Sequence, residues 1–366
     1  MCVNIGVNGG GKVMRKHKLV KKAQVLSGKF LFKRKLTTIK KNIGKFKSSV
    51  SNCGCKPIYV NADVKVVNGD KGGVYYANMQ RCGHVWFCPD CNYKISKHRA
   101  NDLYSQLKVY RQQGLSVYFV TFTLQHYKRD QLARLLIVLQ TAFNYANTNT
   151  GWGKIAKTHG FGFLRTLEVR YSLTNGWHPH LHCVFVVNNG SGDCLQTFTG
   201  LYKDYLLKQG FRVNDYTTDI VKWDNSIDKL KDYVFKGVLE KELTSSGLKK
   251  GKVKGSFNFF ELMDCDDHHG VNTAVINEYI TCMRGKRQFH HSKRFFVNCK
   301  QQKDSDIIRD DKIQTVLYVI PASVYQDIFS KGVALDLLAF LKYATKPDTI
   351  AFLIFHNVDF SWFDSS

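Results

Sequence analysis

Two apolar segments of the chain, residues 162–171 and 177–187, are separated by a short Thr-Asn-Gly turn. Asn-Gly between two β-type segments is the strongest short-range signal for a β-hairpin, because both residues accept the positive φ angles of a tight turn. The sequence therefore predicts that the two segments are neighbouring antiparallel strands. Glu168 then lies on the strand that pairs with the strand after the turn. This pairing constrains the fold more than any other feature of the sequence.

Three histidines, His178, His180 and His182, recur at every second position after the turn. Successive side chains of a strand point to opposite faces, so the three imidazoles are expected on one face. Neutral imidazole is a common metal ligand, and Glu168 would add an oxygen ligand from the partner strand. Such a set suits Mg²⁺ or Mn²⁺ acting on phosphate, as well as Zn²⁺ or Fe²⁺. The alternatives are surface histidines on an ordinary strand and an ion pair of Glu168 with a neighbouring arginine.

A second metal-binding pattern lies upstream, where residues 88–91 form the sequence Cys-Pro-Asp-Cys. Two thiolates three residues apart on a turn can bind one tetrahedral zinc ion, although such a pair can also be a redox pair. The odd total of 11 cysteines favours a reducing, intracellular compartment over a disulfide framework. The predicted structural zinc ligands are Cys88, Cys91, Cys82 and one of Cys53 and Cys55, with His84 as a substitute.

The charge of the chain is strongly basic. The net charge is +25 over 366 residues and the pI is near 9.6, and no Asp or Glu precedes Asp63. Such an excess predicts a polyanionic partner, either nucleic acid or an acidic membrane surface. No apolar run approaches the about 18 residues that span a bilayer, and the N-terminus lacks the apolar core of a signal peptide. These features favour nucleic acid as the partner, with no membrane and a cytoplasmic location.

Hydrophobic periodicity predicts alternating helices and strands and no internal repeat, and we interpret this as an α+β fold. No glycine-rich loop of the kind that binds phosphate occurs in the sequence. Helices are predicted at residues 97–113, 130–147, 195–208, 226–243, 273–284 and 334–343, and strands at 117–124, 162–171, 177–187, 212–217 and 314–320.

The predicted helix 226–243 carries Tyr233 and Lys236 three residues apart, which places both on one helix face. A tyrosine hydroxyl is a poor nucleophile unless a cation stabilises its phenolate, and Lys236 would do so or would hold a phosphate oxygen. Taken alone, a tyrosine on a helix is more often a core residue. Its interpretation as a nucleophile therefore depends on the other motifs.

Together and in this order, the motifs resemble those of the plasmid and phage rolling-circle replication initiators, the Rep proteins of the HUH endonuclease superfamily. Residues 80–99 are similar to that family's zinc segment, residues 120–124 to its first sheet motif, and residues 175–182 to its histidine motif. Residues 233–236 fall where the family has its nucleophile, and residues 278–292 are similar to the region downstream. The resemblance extends from about residue 53 to residue 296.

The resemblance implies an enzyme that nicks and rejoins single-stranded origin DNA. His180 and His182 would bind Mg²⁺ or Mn²⁺ with Glu168 as the third ligand, while His178 would join the ion, orient the substrate or only begin the strand. Tyr233 would attack the phosphate, leaving a 5′-phosphotyrosyl linkage and a free 3′-hydroxyl, and Lys236 would neutralise charge. Some relatives have an acidic residue one helical turn before the tyrosine; here that position is a lysine, so the carboxylate used in termination is open.

For the fold, the resemblance implies an HUH-type catalytic domain, in which helices flank a central antiparallel sheet, preceded by a zinc module. We predict a basic, flexible arm at 1–50, the zinc module at 51–100, the catalytic domain at 101–248 and a C-terminal α/β extension of unassigned role at 256–366. The predicted DNA contacts are Lys33, Arg34, Lys35, Lys94 and Arg99.

Origin DNA, single-stranded or as a hairpin, is the expected substrate. A host polymerase and a host helicase are the expected partners, since the sequence has no helicase-type phosphate loop. Three other functions fit some of the motifs. An HUH transposase or relaxase would use the same chemistry, a zinc-containing DNA-binding regulator would have none, and an RNA-binding module would use the basic arm and its aromatic residues.

Overall fold

The computed structural model of the chain describes residues 47–54, 56–69, 74–160, 162–223, 255–259, 262, 273–293, 295–296, 302–309 and 313–364. These residues form two compact units, one within residues 83–307 and one that joins residues up to 82 with residues from 308 onward. In the described part of the chain, no helix has the length and apolar character that a membrane crossing requires.

Helices and strands alternate along the described residues. The helices are α1 (Lys47–Asn52), α2 (Pro89–Gln112), α3 (Leu132–Thr148), α4 (Thr150–Thr158), α5 (Cys194–Lys208), α6 (Thr273–Met283), α7 (Asp304–Arg309), α8 (Ala322–Ser330), α9 (Ala334–Tyr343), α10 (Lys346–Phe355) and α11 (Ser361–Asp364). The strands are β1 (Val64–Gly69), β2 (Val74–Tyr76), β3 (Ser116–Phe122), β4 (Gly162–Ser172), β5 (Gly176–Val187), β6 (Thr218–Lys222), β7 (Ser256–Phe257), β8 (Phe289–His291) and β9 (Ile313–Ile320).

The unit within residues 83–307 is built on an antiparallel sheet. Its strand order is β6-β3-β5-β4, and β7 and β8 both pair with the outer edge of β4. Strands β4 and β5 form the predicted hairpin, paired without interruption from Gly162 opposite Val186 to Ser172 opposite Gly176. Gly176 has a φ of 74°, as a tight turn requires. The hairpin is thus as predicted, and the structure adds its register.

Helices cover both faces of this sheet. On one face, Phe122 of β3 packs against Phe143 of α3 and Phe198 of α5, with ring centroids 5.4 and 5.7 Å apart. On the other face, the apolar side of α2, including Leu103, packs on a cluster that includes Val184 of β5. Because side chains alternate along β5, this second face also carries the three histidines. They occupy the end of β5 that precedes Val184.

The second unit has a three-stranded antiparallel sheet in the order β2-β1-β9. Helices α8 to α11 supply most of its core, in which Leu337 and Leu353 are fully buried. Strand β1 belongs to the predicted zinc module, whereas β9 belongs to the predicted C-terminal extension, so the two segments share one sheet. The predicted domain boundaries remain a prediction.

The α+β prediction is confirmed as a mixed fold with antiparallel sheets, but two elements were wrong. Helix α2 begins at Pro89, eight residues before the predicted start, because proline is favoured in the first turn of a helix. Residues 212–217 were predicted as a strand, yet β6 begins only at Thr218. The Asn214 side chain accepts a hydrogen bond from the Tyr216 backbone and begins a 3₁₀ turn instead.

Several predicted segments lie outside the described residues. They are residues 1–46 of the basic arm, with Lys33, Arg34 and Lys35, the candidate zinc ligand Cys55, and the helix 226–243 with Tyr233 and Lys236.

We expect Gly176→Ala to destabilise the hairpin more than Gly210→Ala. Both glycines have positive φ, which costs an alanine about 1–2 kcal/mol. A Cβ at Gly176 would also lie 2.8 Å from the Lys128 carbonyl oxygen, whereas a Cβ at Gly210 meets nothing within 4 Å. Urea unfolding of the two variants measures the difference, and equal losses of stability would contradict the tight packing of the turn.

Candidate functional site

The hairpin brings a carboxylate and two imidazoles together. Glu168 of β4 lies directly opposite His180 of β5 in the strand register. Glu168 Oε2 is 2.9 Å from His180 Nε2 and 3.0 Å from His182 Nε2. The three ligand atoms form a group in which all lie within 4.8 Å of one another. The other carboxylate oxygen, Oε1, is 3.5 Å from Arg170, so Glu168 also makes the ion pair that the sequence left as an alternative.

Neighbouring side chains hold the His182 ring in place. The ring stacks on Phe119, with centroids 5.4 Å apart, and its Nδ1 lies 3.3 Å from the Thr121 hydroxyl. Thr121 of β3 is opposite His182 in the register of β3 and β5. Contact of one ring nitrogen with a hydroxyl leaves the other, Nε2, facing Glu168. A metal-binding histidine is commonly oriented in this way by a partner on its second nitrogen.

The protonation states of this group suit a cation. Burial alone would raise the pKa of the Glu168 carboxyl group, but hydrogen bonds with His180 and His182 hold that pKa well below its ordinary value. Burial also lowers the pKa of His182, although Glu168 opposes this shift. An ionised Glu168 carboxylate and a neutral His182 imidazole are the states that bind a metal ion.

The donor set fits a divalent ion. His180 is only 8% exposed, and among the described residues its Nδ1 has no hydrogen-bond partner. One oxygen and two nitrogen donors leave further coordination positions open, as in sites where a metal contacts a substrate. The arrangement is compatible with a metal ion without specifying which one.

His178 shares the face of His180, as predicted, but is not one of the three grouped residues. Its Nδ1 lies 2.6 Å from Nε2 of His126, whose Nδ1 is 3.1 Å from the Asn175 carbonyl oxygen. Burial, with the neighbouring His180 and His126, lowers the pKa of His178 to about 4. The sequence analysis missed His126. The antiparallel pairing of β3 with β5 was the available signal, because it brings residues just after β3 beside the start of β5.

Four of the predicted zinc ligands also lie together. The sulfur atoms of Cys53, Cys82, Cys88 and Cys91 are all within 4.8 Å of one another. Cys88 immediately precedes α2 and Cys91 lies in its first turn. Four sulfur donors at this spacing are compatible with a tetrahedral metal site. His84, the proposed substitute, is not in the group.

The stretch 278–292, noted for its resemblance alone, supports both strands of the hairpin. Glu278 accepts one hydrogen bond from the Trp177 indole and another from the backbone of Leu132, at the start of α3. Further along the stretch, the Gln288 carbonyl oxygen accepts a hydrogen bond from the backbone of Leu167. Strand β8 then pairs with β4. These contacts fix β4, and with it Glu168, from the side opposite β5.

The predicted DNA contacts have different surroundings. Arg99 is buried, and its guanidinium group lies 2.9 Å from Asp304 and 3.5 Å from Asp102. The Arg99 guanidinium group is therefore already paired with carboxylates of the same protein. Lys94 is half-buried on α2. The DNA-contact role of both residues remains a prediction.

Part of the chain is similar to known proteins. Residues 75–205 match the family model described as "Replication protein". The chain is 31% identical over 136 residues to "Protein rep" of Streptomyces lividans, a match that covers 30% of each chain. It is 26% identical over 141 residues to "Neomycin resistance protein" of Streptomyces cyanogenus, with 32% of each chain covered. No solved structure matches the chain.

These matches concern one part of the chain. Residues 75–205 resemble the replication protein family, and the predicted resemblance to plasmid Rep initiators is confirmed. The matched part contains the Glu168, His180 and His182 group. The chain spans only about a third of the length of these curated relatives.

We expect His180→Gln to weaken Mn²⁺ binding by at least about tenfold, because the variant loses one ligand of the group. His178→Gln is the matched control on the same strand face and should bind Mn²⁺ like the unchanged protein. Electron paramagnetic resonance titration of free Mn²⁺ measures both affinities. Equal losses in the two variants would assign His178 to the ion and contradict the three-residue group.

Proposed function

We propose that the protein initiates plasmid replication by nicking one strand of origin DNA. The observation that carries this proposal is the convergence of Glu168, His180 and His182 within the part of the chain that matches the replication protein family. A cation held by these three residues would supply Lewis-acid activation of the scissile phosphate. The net charge of +25 supports a DNA substrate, because DNA is a polyanion.

Tyr233 is the proposed nucleophile. Its oxygen forms a bond to the phosphorus of the scissile phosphate as the bond from phosphorus to the 3′-oxygen breaks. The products are a 5′-phosphotyrosyl linkage and a free 3′-hydroxyl, from which a host polymerase extends. Lys236 stabilises charge on the phosphate. Because the phosphodiester is exchanged and not hydrolysed, the reverse step rejoins the strand at termination. The sequence resemblance alone supports the roles of these two residues.

We assign the unit of residues 83–307 an HUH-type arrangement. Two features support the assignment: an antiparallel sheet with helices on both faces, and a histidine pair on an inner strand, β5.

We propose zinc as the ion of the four-cysteine group, with a structural role, since thiolate sets of this kind bind zinc in closed sites. A host helicase would separate the strands, and the work would take place in the cytoplasm, where plasmid DNA replicates.

A labelled hairpin from the protein's own replicon, incubated with Mg²⁺ or Mn²⁺ and analysed on a denaturing gel, tests the nicking step. We expect a covalent protein–DNA adduct that EDTA abolishes and that Tyr233→Phe cannot form, because phenylalanine has no attacking oxygen. Tyr59→Phe is the matched control, since Tyr59 is 68% exposed and belongs to the other unit of the chain.

Each contrary outcome has its own meaning. An adduct that persists in Tyr233→Phe would place the nucleophile elsewhere. Tight binding with no adduct in any sample would favour a non-catalytic DNA-binding regulator. The identity of the hairpin that is cut, from an origin or from a transposon end or transfer origin, separates an initiator from a transposase or relaxase.

Zinc content tests the second metal site. We expect about one zinc ion per chain by elemental analysis, with loss of zinc and of thermal stability in Cys91→Ser, because structural zinc contributes directly to folding. Cys282→Ser, a half-buried cysteine outside the group, should keep its zinc. Cys55→Ser should keep it as well, since Cys53 is the residue found in the group. Loss of zinc in Cys55→Ser would exchange these two assignments.

A further inference from the structure

Arg170 of β4 lies on the same face of the hairpin as the metal group. Side chains alternate along a strand, so Arg170 shares the face of Glu168, which is two residues before it. In the register of β4 and β5, Glu168 is opposite His180 and Arg170 is opposite His178. Arg170 is thus nearer to the turn than the metal group is, and its side chain is 24% exposed. Its guanidinium group can therefore meet a ligand that enters from solvent.

Two hydrogen bonds to one residue of β7 orient the Arg170 guanidinium group. Its Nε donates to the Ser256 hydroxyl and its Nη2 to the Ser256 carbonyl oxygen, both at 3.1 Å. The third nitrogen, Nη1, lies 3.5 Å from Glu168 Oε1. This distance suits an ion pair but exceeds the about 2.7–2.9 Å of a charge-assisted hydrogen bond. Ser256 therefore orients the group, and its contact with Glu168 is a loose one.

The two oxygens of the Glu168 carboxylate have different partners. Oε2 lies 2.9 and 3.0 Å from the two imidazoles, whereas Oε1 is the oxygen near Arg170. The negative charge that attracts Arg170 would be neutralised once a cation is bound at Oε2 and the imidazoles. Two cations beside one carboxylate repel each other, and an anion that contacts both removes the repulsion. A phosphodiester of a DNA strand suits this position, because it carries one negative charge shared by two oxygens.

We propose that Arg170 binds the phosphodiester at the metal group. Glu168 attracts the guanidinium group while no ion is bound, and Arg170 Nη1 donates to a phosphate oxygen once Glu168 is neutralised. Arginine suits this role because it stays charged, and because a guanidinium group already held by Ser256 loses little entropy when it binds. This inference rests on the proposed function for its substrate, a DNA strand, and adds a second phosphate-binding residue to Lys236.

The same contacts would also suit a purely structural role, in which Arg170 holds Glu168 in place for the ion. The two roles predict different changes in metal affinity. Loss of a positioning residue would weaken metal binding, because Glu168 would lose its orientation. Loss of a phosphate-binding arginine would leave metal binding unchanged or strengthen it, because a repelling positive charge is removed. Metal affinity measured without phosphate therefore separates the two roles.

Dimethyl phosphate is the probe, because it is a phosphodiester with neither base nor sugar. Broadening of its phosphorus NMR signal by protein-bound Mn²⁺ measures its affinity, and electron paramagnetic resonance titration measures that of Mn²⁺. For Arg170→Gln, we expect phosphodiester affinity to fall at least about fivefold, with Mn²⁺ affinity unchanged or raised up to about threefold. Arg170→Lys should keep part of the phosphodiester affinity, since the charge is retained. Arg134→Gln is the matched control, because Arg134 is exposed on α3 across the sheet, and it should leave both affinities unchanged.

A second measurement uses the unchanged protein and so does not depend on the folding of a variant. Coupling between two ligands is reciprocal, so saturating dimethyl phosphate should raise Mn²⁺ affinity at least about threefold. Absence of this coupling, a loss of Mn²⁺ affinity in Arg170→Gln, or phosphodiester affinity that Arg170→Gln does not lower would each overturn the inference. Coupling that depends on Arg170, in a protein that forms no Tyr233 adduct, would keep the phosphate site and reject the nicking function.

Discussion

The backbone pairing of β4 with β5 is the interaction on which the candidate site depends. One register along the hairpin sets Glu168 opposite His180 and Thr166 opposite His182. A shift by one residue would turn either strand's side chains to the other face and separate the carboxylate from the imidazoles. The Gly176 turn and the apolar residues that follow the histidines fix this register. The chemistry at the metal group is therefore a consequence of the same pairing that builds the sheet.

A second set of contacts holds β4 from its other edge. Strand β8 pairs with Leu164, Arg165 and Thr166, and the Gln288 carbonyl oxygen accepts from the Leu167 backbone. Glu278 links the indole of Trp177 to the start of α3. A carboxylate between two imidazoles needs rigid support, since small displacements of a ligand weaken a metal site. The segment after residue 273 gives this support, although it is distant in sequence from the hairpin.

The parts of this structure that could be predicted are those that local chemistry decides. Asn-Gly specifies the hairpin, the alternation of residues 177–187 specifies the face of the histidines, and the spacing of the cysteines anticipated their grouping. Contacts between distant segments could not be predicted in this way. His126 meets His178 only because β3 lies beside β5, and no periodicity in one segment reveals that adjacency. The error at residues 212–217 had a local cause, because the Asn214 cap competes with the strand.

Burial has two opposite effects on the polar atoms of the metal group. Burial that excludes water strengthens the interaction of Glu168 with a cation, but it also penalises each polar atom without a partner. The imidazoles relieve that penalty for Glu168, whereas His180 Nδ1 has no hydrogen-bond partner among the described residues. Unpaired buried polar atoms also occur elsewhere in the described residues, for example at Gln106 and Asp336, so the arrangement of Glu168 between two imidazoles, and not an unpaired atom, is what marks this location as a cation site.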